Sequence, residues 1–202
     1  MIKAIIFDFG RVISAQKPPS LFRVYEEDLG LAPGKLNQIM FDSEDWQETL
    51  LGCKTIEEFW YAIGPELGLN SPDKIDSFRR RYRCDEAANE GVLDLIRRLQ
   101  GHYKLAVLSN SPPRLCQWLS DWQMLDLFDT VFCSGDEGVV KPDPAAFDIT
   151  LQRLAVEPNE AVFIDDTLEH VEASRKMGLH GILFTTAEAL ERELAGLLDK
   201  NF

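Results

Sequence analysis

Short runs of apolar, β-forming residues recur along the chain, and they constrain its fold more than any other feature of the sequence. Four clear runs and one weaker run cover residues 3–7, 104–109, 161–164, 181–184 and, most weakly, 130–133. Runs of this length fit strands that are buried on both faces, as in a parallel sheet. Apolar residues also recur at helical spacing over residues 90–100, 144–154 and 168–177. This alternation predicts a doubly wound α/β fold whose parallel strands have their carboxyl ends along one edge.

The stretch from residue 14 to residue 85 breaks this alternation. It has no convincing buried strand, but it contains two signals for the start of a helix: a capping-box pattern at Thr55 and Glu58, and Ser71 followed by Pro72. We therefore predict a small helical cap, residues 14–85, inserted after the first strand of an α/β core formed by residues 1–13 and 86–202. A long excursion at this position is more often a lid or a binding element than a plain loop.

The chain is strongly acidic, with a formal net charge of −13 over 202 residues. Nucleic acids and anionic membranes are polyanions that a protein must neutralise with Lys and Arg, so we expect neither as a partner. An anionic small substrate would need a local positive charge, such as a metal ion, to overcome the acidic surroundings. The simpler interpretation is that the acid excess keeps the protein in solution.

The cysteine pattern and the first residues bear on the compartment. Cys53, Cys84, Cys116 and Cys133 are far apart and form no C-x-x-C pair, and scattered thiols suit a reducing compartment. The opening MIKAIIFDFG does not have the form of a signal peptide, and no apolar run approaches the length of a membrane span. We therefore expect a cytoplasmic protein.

Chemically useful residues stand where the apolar runs stop. Asp8 follows the first run directly. The later runs lead to further polar residues, which are Ser109 and Asn110, then Lys141 in the turn-rich VVKPDP, then Asp165 and Asp166. Because the strand ends of a doubly wound sheet meet at one edge, we expect these side chains to lie close together.

An acid, a hydroxyl, an amine and two further acids suit phosphoryl transfer. Mg²⁺ prefers oxygen ligands, and it both neutralises an anionic phosphate ester and fixes its geometry. Three neighbouring carboxylates also repel one another unless a cation lies between them. An aspartate is an established type of nucleophile for this chemistry. Each of these residues alone is more often a turn or capping residue, so the prediction depends on the order and placement of all of them.

Four segments resemble the motifs of the haloacid dehalogenase superfamily. They are IIFDFGRVI (5–13), LAVLSNS (105–111), GVVKPDPAAF (138–147) and VFIDDTLEHVEASRKMGL (162–179). The resemblance spans the α/β core from end to end. It implies a Rossmann-like core with a helical cap inserted after the first motif.

The resemblance also implies a role for each matching residue. Asp8 would attack phosphorus, Ser109 would bind the phosphoryl group together with the backbone at Asn110, and Lys141 would hold both Asp8 and the phosphate. The ligands of Mg²⁺ would be Asp8, Asp165, Asp166 and the main-chain carbonyl of Gly10. The implied activity is that of a Mg²⁺-dependent phosphatase, acting through an aspartyl phosphate on a small phosphorylated metabolite such as a sugar phosphate or another activated phosphate.

Gly10 departs from the family pattern, in which phosphatases usually have an aspartate that serves as general acid and then as general base. Losing a general acid typically costs about 10²–10⁴ in rate. The loss matters less for an acyl phosphate or an anomeric sugar phosphate, whose leaving group is more acidic. The chain is similar to a D-x-G branch of the family that includes a bacterial α-D-glucose-1-phosphate phosphatase, so we expect an active site here.

Two residues near these motifs are further candidates. His170 stands where close family patterns have Asn, one helical turn beyond Asp166. It either orients Asp166 or supplies the missing proton, whereas the simpler interpretation is a surface histidine at a helix start. Arg11 follows the nucleophile loop and is a candidate for contact with the substrate.

The predicted cap contains two groups of interest. The aromatic residues Trp46, Phe59, Trp60 and Tyr61 either line a sugar-binding pocket or form the core of a small helical lid. The run Arg79 to Arg81, with Arg83, either attracts an anionic substrate or forms a solvated helix face.

Three other functions compete with a phosphatase. A 2-haloacid dehalogenase uses the same aspartate nucleophile on carbon, but it needs no metal and does not keep an acidic pair such as Asp165 and Asp166. A degenerate member that binds a phosphorylated ligand or a protein has only Gly10 in its favour. A phosphomutase benefits greatly from the acid/base residue that Gly10 replaces.

Overall fold

A computed structural model describes residues 1–198 and shows a five-stranded parallel sheet in the order β3-β2-β1-β4-β5. The strands are β1 (Ala4–Phe7), β2 (Lys104–Ser109), β3 (Thr130–Cys133), β4 (Ala161–Asp165) and β5 (His180–Leu183). All pairings are parallel. The predicted strands are confirmed, with ends that differ by at most one residue.

Eleven α-helices belong to the part of the chain that the structure describes. Those that follow β1 directly are α1 (Pro19–Leu29), α2 (Lys35–Phe41), α3 (Glu44–Leu50), α4 (Ile56–Ile63) and α5 (Pro72–Cys84). The others alternate with the strands and are α6 (Glu90–Leu99), α7 (Leu115–Asp121), α8 (Ser134–Glu137), α9 (Pro144–Leu154), α10 (Leu168–Lys176) and α11 (Ala187–Leu197).

The sheet is covered on both faces, because successive side chains of a strand point to opposite sides. Ile5 and Phe7 pack in a cluster with apolar residues of α6, α7 and α11. Ala4 and Ile6 pack on the other face with residues of α9 and α10. All four side chains are fully buried. The doubly wound α/β fold predicted from the alternating runs is therefore confirmed.

β1 lies at the centre of the sheet, between β2 and β4. Phe7 is in register with Val107 on one side and with Ile164 on the other. The order of the strands reverses at β1, and open α/β sheets bind ligands at such a switch point, beyond the carboxyl ends of the strands. The residues after Phe7 therefore lie where folds of this type bind their ligands.

Residues 14–85, the inserted segment, contain helices α1 to α5 and bury a cluster of their own, centred on Tyr25, Phe59 and Trp60. The helix starts predicted there are present. Thr55 and Glu58 form a reciprocal capping box at α4, and Ser71 accepts a hydrogen bond from the Lys74 N–H at α5. The segment thus has its own small core, beside that of the sheet.

Two backbone hydrogen bonds hold together the chain segments that leave and re-enter the core on either side of the inserted segment. Ala15 N–H donates to the Ala87 carbonyl and Asn89 N–H donates to the Ile13 carbonyl, each over 2.8 Å, so the two connecting segments run side by side. Further along, Gly52 lies against the backbone of Gly135 at α8, so closely that a Cβ on Gly52 would stand 2.1 Å from the Gly135 carbonyl oxygen.

Residues 199–202 of the predicted core lie outside the described residues. Within residues 1–198, no helix has both the length and the apolar character needed to cross a membrane.

Candidate active site

Three carboxylates meet at the carboxyl edge of the sheet. Asp8 follows β1, Asp165 ends β4 and Asp166 comes next. One oxygen of each lies within 4.8 Å of one oxygen of the others. Asp165 is fully buried and Asp8 is 7% exposed. The topology predicted from the strand ends thus brings these three acids together.

Lys141 places its ammonium between two of these acids. Its Nζ lies 2.8 Å from Asp8 Oδ1 and 2.6 Å from Asp165 Oδ2, and the side chain is 1% exposed. Burial opposes the charge on Lys141, but the two carboxylates outweigh that effect and raise its pKa. Lys141 is therefore held as a cation beside the oxygen atoms of Asp8.

Asn110 fixes the backbone that carries this lysine. Its side-chain oxygen accepts from the Lys141 N–H over 2.7 Å, and its side-chain nitrogen donates to the Lys141 carbonyl over 2.8 Å. The sequence indicated a role for Asn110 in binding phosphate through the backbone. It gave no sign of the hydrogen bonds that the side chain makes to a residue 31 positions away.

The charges around Asp8 bear on whether a cation fits. Burial raises the pKa of Asp8, the Lys141 ammonium opposes this increase, and Asp165 and Asp166 add to it. A divalent cation among the three carboxylates would favour their ionised forms. The donor set of three carboxylates at one point is of the kind that Mg²⁺ binds. The residues present therefore fit a hard divalent cation.

The carboxylate of Asp165 has more hydrogen-bond and ion-pair partners than that of Asp166. Its Oδ2 contacts Lys141 Nζ and, over 3.1 Å, His170 Nδ1, while its Oδ1 accepts from the Thr167 N–H over 2.8 Å. Burial would raise the pKa of Asp165, but His170 and Lys141 outweigh it and lower that pKa. His170 is only 17% exposed and contacts Asp165, not Asp166, so it differs from the surface histidine favoured by the sequence.

The turn after Asp8 contains Gly10 and Arg11. Gly10 has φ −64° and ψ 126°, a conformation open to any residue, and a Cβ added there would meet only Asp8 Oδ2, at 3.7 Å. Arg11 has φ 58°, which is uncommon for a residue with a Cβ. Its guanidinium reaches Asp166 Oδ2 over 3.4 Å. Strain of this kind concentrates at functional turns.

A cavity of about 680 Å³ opens beside these groups, between the sheet edge and the inserted segment. Gly10, Arg11, Ser109 and Asn110 line it on the core side. Ser109, at the end of β2, is 2% exposed. A pocket of this volume accommodates a small organic molecule.

The inserted segment supplies the other walls of this cavity. Trp46, Phe59 and Trp60 pack in the core of the segment, as in the predicted lid core, and they also line this cavity. Tyr61 does not line it; it is 42% exposed and donates a hydrogen bond to Asp76. From the arginine run, Arg79, Arg80 and Arg83 line the cavity, whereas Arg81 pairs with Asp28. The run is therefore more than a solvated helix face.

Comparison with known proteins identifies the family. A family model described as a haloacid dehalogenase-like hydrolase matches residues 2–178. A sesquiterpene phosphatase of Aspergillus oryzae is 28% identical over 201 residues, which cover 97% of this chain and 96% of the relative. The D-ribitol-5-phosphate phosphatase of Bacteroides thetaiotaomicron is 27% identical over 188 residues, covering 88% of this chain and 89% of the relative.

A solved structure shares the fold. It is a HAD family enzyme of Bacteroides thetaiotaomicron, in complex with magnesium and inorganic phosphate. Its TM-score is 0.71 at 20% identity, and the match covers 89% of this chain and 92% of that one. The family model covers most of the chain and the fold agrees with it. This chain therefore belongs to the haloacid dehalogenase-like hydrolases.

Proposed function

We propose that this protein is a Mg²⁺-dependent phosphatase that forms an aspartyl phosphate on Asp8 and acts on a small phosphorylated molecule. The observation that carries the proposal is the meeting of Asp8, Asp165 and Asp166 around Lys141 at the switch point of the sheet. Two relatives that match nearly the whole chain are named phosphatases, which supports the same activity.

Asp8 is the proposed nucleophile. Its Oδ1 contacts Lys141, and its other oxygen lies toward Gly10, which lines the cavity. The Lys141 ammonium offsets the repulsion between this carboxylate and an incoming phosphate, and it also steadies the phosphoryl oxygens during transfer. Lys141 therefore acts on the nucleophile and the transferring group together.

The residues that would hold Mg²⁺ are Asp8, Asp165, Asp166 and the main-chain carbonyl of Gly10. When bound, the ion supplies positive charge that neutralises the phosphate and fixes its orientation. Asp165 is oriented by Thr167 and His170, so its carboxylate is already in place before a cation binds. Among the described residues, the side chain of the less buried Asp166 has polar contacts only with the Arg11 guanidinium and the Thr167 hydroxyl.

The phosphoryl group would be received by Ser109, the backbone at Asn110 and the guanidinium of Arg11. All three residues line the cavity. We propose that residues 14–85 act as a cap over this site, because they supply its remaining walls and contact the core at Gly52. The cap, which supplies those walls, would select the organic part of the substrate.

A phosphate-release assay tests this function. It would use acetyl phosphate, glucose 1-phosphate, nucleotides and an aryl phosphate, with Mg²⁺ and with EDTA, beside 2-chloropropionate. Mg²⁺-dependent release that is lost in Asp8→Asn is the expected result. Halide release would indicate a dehalogenase instead, and no turnover of any compound would favour a binding protein.

A further inference from the structure

From the lining of the cavity and the absence of a side chain at Gly10, we infer that the substrate is an apolar diphosphate ester, from which the enzyme removes the terminal phosphate. This inference rests on the proposed phosphatase function and names its substrate class. Three independent features of the described residues carry it: the aromatic walls, the local charge and the missing general acid.

The walls of the cavity are aromatic on both sides. Phe22, Phe41 and Trp46 line it from the cap, and Phe9 and Trp118 line it from the core. All but Phe9, which is 6% exposed, are only partly buried, so each keeps some surface toward the cavity or the solvent. Burying apolar surface against such walls stabilises a bound hydrocarbon by about 25 cal/mol per Å².

The cap contributes few uncharged polar side chains to the cavity. The uncharged polar side chains that the cap contributes, aside from its aromatic residues, are Ser14, Gln16 and Asn37, and Ser14 already accepts a hydrogen bond from the Arg11 N–H. A site that recognises several hydroxyl groups needs polar atoms that are available to form hydrogen bonds with them. The aromatic walls therefore favour a hydrocarbon over a carbohydrate.

The local charge favours more than one phosphate. Seven Lys and Arg side chains line the cavity against three glutamates, although the chain as a whole has a net charge of −13. Within the described part of the chain, Arg23 and Arg80 make no ion pair or side-chain hydrogen bond, and Arg11 has only the 3.4 Å contact with Asp166. A single phosphoryl group beside Lys141 and a cation does not require this additional positive charge.

The missing general acid favours a phosphate as the leaving group. An alcohol is about as weak an acid as water, so its anion is a poor leaving group unless it is protonated. A phosphate monoester has a second pKa of about 6 and leaves as a stable anion. Gly10 supplies no acid to protonate a leaving group. Removal of the terminal phosphate from a diphosphate does not need that protonation, because the leaving group is itself a stable anion.

The reaction balances without a further reactant. An oxygen of Asp8 bonds to the terminal phosphorus while the bond from that phosphorus to the bridging oxygen breaks. The electron pair stays on that oxygen, and the organic monophosphate leaves. Water then attacks phosphorus, the bond to Asp8 breaks, and inorganic phosphate is released with one proton passing to the solvent.

The test compares n-decyl diphosphate, n-butyl diphosphate and n-decyl phosphate below their micelle-forming concentrations, with acetyl phosphate as reference. We expect kcat/KM for n-decyl diphosphate to exceed those for the other two alkyl compounds by at least about tenfold. Asp8→Asn abolishes all turnover. Equal or faster hydrolysis of n-butyl diphosphate or n-decyl phosphate would overturn the inference while leaving the phosphatase intact. No Asp8-dependent release from any compound, acetyl phosphate included, would remove the proposed function itself.

A matched pair of variants tests the charge. Arg80→Gln should lower kcat/KM for n-decyl diphosphate about fivefold and change that for acetyl phosphate less than twofold, because acetyl phosphate has no second phosphate for this guanidinium to bind. Arg97→Gln is the control, because Arg97 lies on α6 outside the cavity and pairs with Asp94. An equal loss on both substrates, or no loss in Arg80→Gln, would contradict the second-phosphate contact.

Discussion

The side-chain amide of Asn110 bonds to both the N–H and the carbonyl of Lys141, over 2.7 Å and 2.8 Å. The strand end of β2 thereby holds the loop that delivers the ammonium to Asp8. Lys141 is far from Asn110 in sequence, so its position depends on this contact as well as on the ion pairs of its own side chain.

Replacing Asn110 by Ala should lower kcat about 10- to 100-fold and change KM less than twofold, since the substituted residue positions a catalytic group. Loss of two hydrogen bonds should also lower the free energy of unfolding by about 1–3 kcal/mol. Steady-state kinetics and urea unfolding measure both effects. Asn70→Ala, at an exposed position before α5, is the control. An Asn110→Ala enzyme with normal kcat would show that Lys141 is placed by its ion pairs alone.

Mg²⁺ should stabilise the folded protein, because a ligand of the native state shifts the unfolding equilibrium. At 100 times its Kd the gain is about 2.7 kcal/mol, or roughly 5–10 °C in Tm for a chain of this size. Asp166→Asn should reduce that shift, and Asp148→Asn, an exposed change on α9, should not. Thermal unfolding during a Mg²⁺ titration gives the answer without any assay of activity. Equal shifts in all three proteins would show that Asp166 is not a ligand.

Gly10→Asp should give the enzyme a general acid. The backbone at Gly10 accepts a side chain, and its Cβ would meet only Asp8 Oδ2 at 3.7 Å. We expect turnover of an alkyl monophosphate to rise by up to about 10²–10⁴, while that of a diphosphate changes little. Gly10→Asn has nearly the same shape without the acid and serves as control. A similar gain in both variants would mean that the carboxyl group is not the cause.

Gly52→Ala should disturb the contact between the cap and the core, since its Cβ would stand 2.1 Å from the Gly135 carbonyl oxygen. Gly30→Ala is the matched control, because it has the same left-handed backbone, with φ 68° against 73°, and nothing within 4 Å of an added Cβ. Both changes should cost about 1 kcal/mol in backbone strain. Only Gly52→Ala should also lower kcat/KM, by about tenfold or more, as measured beside thermal unfolding. Identical behaviour of the two variants would show that this contact has no part in catalysis.

Much of the fold and the meeting of the candidate site residues could be predicted from the sequence, because both follow from local pattern. Buried parallel strands appear as apolar runs, and the topology alone then brings Asp8, Ser109 and Asp165 to one edge. The capping box at Thr55 could be predicted for the same reason, because its two partners are three residues apart.

Contacts between residues that are far apart in the sequence could not be predicted from it. Three such contacts join separate elements. They are the hydrogen bonds of Asn110 to Lys141, the pairing of His170 with Asp165 and the close approach of Gly52 to Gly135. Arg80 and Arg81 are neighbours in sequence, yet one lines the cavity and the other pairs with Asp28. Only the packing of α5 within the inserted segment decides which arginine lines the cavity.

The reversal of charge at the cavity has a consequence for which anions this protein admits. At 0.1 M salt, charges on a surface act over about 10 Å, so a long polyanion feels mainly the acidic exterior along its length. A short anionic head group that reaches the opening feels the arginines there instead. Under the proposed function, we therefore expect the protein to prefer short anionic substrates to nucleic acids by charge alone, before any contact with Asp8.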